Sequence, residues 1–167
     1  MLRRLNIFLS SKMISKKPTI TEILSIQEES LHAYSTGLLQ GKAYRALTHH
    51  LNRALFPYEL SIPEWKLLGQ LYEKGEMRLT ELAVLLDVRP PLVTKLVDQL
   101  EKRELLCRIR DPKDSRGRLI SATPKGEKLI PDIESTVKKA MGVLLVGTPR
   151  EELLTYLRVL ARIVDNA

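Results

Sequence analysis

"RLTELAVLLDVRPPLVTKLVDQL", Arg78 to Leu100, holds two short helical patterns separated by a turn of three residues. In the first, Leu82, Ala83, Leu85 and Leu86 recur at helical spacing and form the expected buried side, with Thr80 the expected cap. In the second, Leu92, Leu96, Val97 and Leu100 make the apolar stripe. Pro90 and Pro91 open it: proline lacks an N–H and is tolerated at the start of a helix, so the pair marks a boundary. Two short helices joined this tightly are the signature of a helix-turn-helix.

Downstream the period changes from helical to alternating. "LLCRIR", Leu105 to Arg110, reads as a strand, and "GRLISAT", Gly117 to Thr123, as its return partner. Thr123-Pro124 then caps a long helix in which Pro131 predicts a kink. Thr148, with Glu151 three residues later, predicts a capping box for the last helix. Upstream, apolar residues recur from Leu38 to Leu55 until Phe56-Pro57 ends the pattern. Ser61, Pro63 and Glu64 then predict a capped helix that Gly75 closes. No internal repeat or low-complexity segment is visible.

The expected fold is therefore mainly α with a small β-wing: a winged helix-turn-helix with N- and C-terminal dimerisation helices. The expected organisation is an N-terminal extension over 1–35 and a first dimerisation helix over 36–60. The DNA-binding region covers 61–123, and 124–167 holds the C-terminal dimerisation helices. Met141, Val143 to Val146, Leu153, Leu154, Leu157, Leu160 and Ile163 give these last helices more apolar surface than one small winged domain covers. A second copy of the chain is the simplest partner for it.

A length of 167 residues suits one well-cored domain with a tail. Lys and Arg outnumber Asp and Glu by 27 to 20, a net +7 that favours an anionic partner. The single cysteine, Cys107, excludes an internal disulfide framework and agrees with a cytoplasmic protein; a lone structural thiol is its default reading. No apolar run approaches the roughly 18 residues of a membrane span. Residues 1–18 carry Arg3, Arg4, Lys12, Lys16 and Lys17 with no acid. They read as a tail, as an arm contacting DNA or a partner, or as sequence upstream of a start at Met13; no small-residue cleavage site follows a proper apolar core.

Between the two strands, "RDPKDSRGR" (110–118) concentrates positive charge at a hairpin tip. Arginine suits the minor groove, where a narrow groove deepens the negative potential, and a neighbouring carboxylate can orient its guanidinium. "LTELAVLLDV" (79–88) and "LVTKLVDQLEKRELLCRIRDPKDSRGRLISATPKG" (92–126), in this order and with these flanking helices, resemble the MarR family of winged-helix transcription regulators. The resemblance covers about Gly37 to Asp165. It implies that Arg116 enters the minor groove and that Asp114 positions it. Ser115 stands where many members have a basic residue, a loss for which Lys113, Arg118 and Arg110 are placed to compensate. Thr94 and Lys95 near the start of the recognition helix, with Arg89 just before the prolines, are the expected base or phosphate contacts.

The resemblance also implies a cleft for a small aromatic or phenolic anion, with Tyr44, Arg45, His49, Trp65 and Leu68 placed by position to line it; core packing is the plainer reading for Trp65 and Leu68. His49 and His50 diverge by about 100° around their helix and cannot readily share a metal ion. No metal or cofactor is expected, and no nucleophile elbow, phosphate loop or metal-spaced carboxylate pair suggests an enzyme. The expectation is a homodimeric, sequence-specific regulator of transcription, a repressor, bound to a pseudo-palindrome of double-stranded DNA and released by a small ligand. The alternative is a non-catalytic winged-helix protein-interaction module.

Overall fold

The computed structural model describes residues 33–114 and 117–167. The expectations for residues 1–32 and for Arg116 lie outside the described residues. The elements are α1 (Ala33–Leu55), a 3-10 turn (Phe56–Tyr58), α2 (Ile62–Lys74), α3 (Leu79–Leu86), α4 (Pro90–Lys102), β1 (Leu106–Arg110), β2 (Arg118–Ala122), α5 (Pro124–Leu144) and α6 (Arg150–Asp165). The chain divides into two compact units, 1–43 and 44–167. All contacts described below lie within the second.

The core joins Leu55 of α1, Leu67, Leu68 and Leu71 of α2, Leu82 of α3, four residues of α4, Leu106 and Ile120 of the strands, and Ile130 and Ile133 of α5. Each such side chain contributes about 1.5–3 kcal/mol by leaving water. The α4 stripe is Val93, Leu96, Val97 and Leu100. Leu92, expected in this stripe, is 41% exposed. The helix begins at Pro90, and the spacing 93, 96, 97, 100 puts Leu92 a full 100° away from Val93. Leu85 is likewise exposed, because the eight residues of α3 bury a narrow arc centred on Leu82 and Ala83.

Two of the expected caps hold. Ser61 accepts from the Glu64 N–H and Glu64 Oε2 accepts from the Ser61 N–H at 2.8 Å, a reciprocal pair that satisfies the first turn of α2. Thr123 Oγ1 accepts from the Gly126 N–H at 3.1 Å and starts α5, which runs through Pro131 without stopping. Two differ. The N-cap of α3 is Arg78, not Thr80: the helix begins two residues earlier, and Glu81 reaches back to accept the Arg78 N–H at 2.8 Å. The N-cap of α6 is Pro149, which places Thr148 one residue too early for its hydroxyl to cap.

The α3–α4 turn follows from its residues. Asp87 is left-handed at φ 52, Val88 N–H donates to Ala83 O at 3.0 Å, and Asp87 N–H donates to Val84 O at 3.2 Å. Aspartate tolerates this conformation better than most residues, and the two bonds satisfy the last carbonyls of α3. Arg89 is extended, as a residue before proline prefers, and turns the chain into α4. The strands pair antiparallel from Leu106↔Ala122 to Arg110↔Arg118, and a single bridge, Met77↔Ile120, attaches the α2–α3 connection to this sheet.

Candidate nucleic-acid interface

The recognition helix presents one face to the core and another to solvent, the latter holding Pro91, Leu92, Thr94, Lys95, Asp98 and Gln99. Thr94 Oγ1 donates to Pro90 O at 3.2 Å. Arg89 and Lys95 are exposed cations near the N-terminal end. The acids of this helix are held toward the wing instead. Arg108 of β1 donates to Asp98 Oδ1 at 2.5 Å and pairs with Glu101, so strand and helix are tied by one guanidinium.

At the far end of the ladder, Arg110 and Arg118 stand directly opposite one another, both exposed. Like charges at a cross-strand pair are destabilising in themselves, and an anion between or over them removes that penalty. Lys113 is exposed at the tip. Asp114 is exposed; its N–H donates to Asp111 O at 3.3 Å and its carbonyl accepts from Gly117 N–H at 2.9 Å, which shapes the tip turn.

The buried carboxylate of the wing is Asp111, 4% exposed. Its Oδ2 accepts from Arg78 Nε at 3.0 Å and Nη2 at 2.5 Å, and its Oδ1 accepts from the Lys113 N–H at 2.8 Å. The Lys113 amide, then the Arg78 guanidinium, hold the Asp111 carboxyl below its ordinary pKa. Hydrogen bonding to Asp111 in turn raises that of Arg78. Neither residue is singled out by the sequence reading. A signal is present for one half of the contact: Asp-Pro-Lys is the pattern of a side chain that accepts from the amide two residues on.

A second network fixes the other end of α4. Arg103, its C-cap, donates to Glu59 O at 2.6 Å and Tyr58 O at 2.7 Å. The Tyr58 hydroxyl is 2.7 Å from Thr136 Oγ1 and donates to Asp132 Oδ2 at 3.1 Å. The recognition helix is thereby connected through the 3-10 turn to α5.

Of the five residues placed in a ligand cleft, Tyr44 lines a groove of about 320 Å³ with Asn52, Ile62, Lys66, Leu86 and Leu96. Leu68 is fully buried in the core, and Trp65 packs against it with its indole N–H donating to Glu134 at 2.8 Å. Arg45 and His49 lie on α1 and do not line the groove. Lys66, the cation that does, is not among the expected cleft residues. Among the described residues no group of three or more His, Cys, Asp or Glu is placed to hold a metal ion, and no helix is long and apolar enough to cross a membrane.

The family model described as "MarR family" matches residues 60–117, from just before α2 to the wing tip. The chain is 33% identical over 118 residues to the HTH-type transcriptional regulator YhbI of Bacillus subtilis (strain 168), covering 71% of this chain and 76% of that protein. It is 29% identical over 140 residues to the HTH-type transcriptional regulator MhqR of the same organism, covering 84% and 94%. Among solved structures, CouR of Rhodococcus jostii RHA1 bound to p-coumaroyl-CoA superposes with a TM-score of 0.71 at 29% identity, over 77% of this chain and 90% of that one.

Proposed function

The chain belongs to the MarR family of transcriptional regulators, and from that premise we propose that two copies bind a pseudo-palindromic operator in double-stranded DNA and repress transcription from it. Each α4 enters a major groove, with Thr94, Lys95 and Arg89 reaching bases and phosphates. Each wing enters the flanking minor groove, where Arg116 is the inserted side chain, Asp114 its positioner, and Lys113 and Arg118 the phosphate contacts. Two-fold symmetry sets the half-site centres about 10 base pairs apart.

The observation that carries this reading is the Arg110↔Arg118 pair: two exposed arginines at directly opposed ladder positions, beside a helix whose acids are drawn away by Arg108. Two cations at adjoining positions favour an anionic partner, and the sugar-phosphate backbone is the anion matched to a helix-turn-helix. Dimerisation is supported by α6, which has no buried side chain but exposes Leu154, Leu157 and Ile163, and by Val143 and Val146 before it. The DNA partner and the lone cysteine support a cytoplasmic location.

The groove of Tyr44, Asn52 and Lys66, about 320 Å³, is of a size that holds a small molecule. One cation, Lys66, and the polar groups of Tyr44, Asn52 and Ser61 on a wall otherwise apolar suit an aromatic or phenolic anion. Such a ligand releases DNA by binding best the dimer geometry in which the recognition helices are misplaced. The bound ligand of CouR, an aromatic acyl thioester, supports this chemistry.

The experiment is selection of bound sequences from random duplex DNA by the purified protein. An enriched pseudo-palindrome with steep salt dependence is the expected result. No enrichment at low salt overturns the reading and leaves a protein-interaction module.

A further inference from the structure

We infer that the first turn of α4 reads thymine by its C5-methyl group, through Leu92 with Pro91 beside it. The inference rests on the operator-binding reading and goes beyond it by naming the base feature recognised.

Leu92 is 41% exposed on a helix that has four well-buried apolar positions available to it. Its neighbour Pro91 is also exposed. The hydrogen-bonding capacity of this turn is low. Pro90 and Pro91 occupy the first helical positions and carry no N–H, so the helix end lacks two of the amide donors that usually meet phosphates or base acceptors there. The Thr94 hydroxyl spends its proton on Pro90 O. What this turn offers to a base edge is an apolar surface.

Arg89 and Lys95, three residues on either side of Leu92, are exposed cations. Contacts from both to the phosphates would bring the turn between them to the groove floor. In the major groove, thymine is the one base of the four with an apolar substituent. Cytosine would set its N4 amino donor against Leu92 with nothing to accept the proton, and adenine its N6 amino group likewise. Apolar contact with a methyl group therefore discriminates without any hydrogen bond.

The test uses the operator obtained by selection. Thymines in each half-site are replaced one position at a time by uracil, which differs only in lacking the methyl group, and affinity is measured by fluorescence anisotropy for the full chain and for Leu92→Ala. The expected result is a loss of about three- to tenfold for the unaltered protein at one or two symmetry-related thymines. Leu92→Ala should bind the thymine operator more weakly and lose nothing further with uracil. Insensitivity of the unaltered protein to uracil at every thymine overturns the inference, as does a Leu92→Ala variant with an undiminished uracil penalty. Failure to obtain any operator overturns the regulator reading and this inference with it.

Discussion

Arg78 and Asp111, 33 residues apart in sequence, meet at 2.5 Å where the start of α3 touches the first residue of the wing's tip turn. The contact joins the helix-turn-helix to the hairpin by a side-chain pair, alongside the single backbone bridge Met77↔Ile120. Its two ends differ in setting, Asp111 being buried and Arg78 nearly half exposed, so water screens the pair from one side only.

Asp111→Asn should lower thermal stability at neutral pH and weaken operator binding. The folded-state pKa of Asp111 lies below its ordinary 3.8. Its contribution is therefore complete above that value and is lost as pH falls through the lower, folded-state value. The gap in Tm between wild type and Asp111→Asn, followed from pH 7 downward, should be constant to about pH 5 and then close. A gap that does not change with pH would show that packing, not ionisation, explains the effect.

Arg116→Ala should cost about 1–3 kcal/mol of operator affinity with no change in oligomeric state. Asp114→Ala should weaken binding as well, although it makes the protein one charge more positive. Binding measured by anisotropy at two salt concentrations decides the matter: tighter binding by Asp114→Ala would reduce this carboxylate to a repulsive charge.

Leu157→Asp places a carboxylate on the exposed apolar side of α6. The dimer dissociation constant should rise by at least about thirtyfold, the equivalent of about 2 kcal/mol at a central contact. Light scattering across a dilution series reads this directly, and operator affinity should fall in parallel.

Two positions test the backbone. Glu104 follows α4 at φ 60, a left-handed conformation that costs a side chain energy, and Glu104→Gly should stabilise the fold by about 0.5–1 kcal/mol despite losing an exposed pair with Lys125. Gly126 lies against Leu105, and a Cβ there meets the Leu105 carbonyl oxygen. Gly126→Ala should therefore destabilise by about 3 kcal/mol. Urea unfolding of both variants measures the two opposite signs.

Features set by neighbouring residues are legible in the sequence itself. The Ser61–Glu64 reciprocal cap, the closing Gly75, the Thr123 cap and both strands follow from residue types at short spacing. Helix phase is harder. Leu92 and Val93 are equally apolar, and only the position of the helix start decides which one faces inward. Contacts across long separations are illegible: nothing near Arg78 announces Asp111, and nothing near Arg103 announces the carbonyls of Tyr58 and Glu59. The groove shows the same limit. Trp65 and Lys66 are adjacent, yet rotation by one residue sends the first toward α5 and the second into the groove.

The last sixteen residues of regular structure, α6, bury no side chain within a single chain. A helix of that length has marginal stability in water when nothing packs on it. In the proposed dimer its order is a property of the pair of chains rather than of each one, and it scales with how much protein is present. On dilution of that dimer the C-terminal segment should open to proteases, so protein concentration governs the protease resistance of α6.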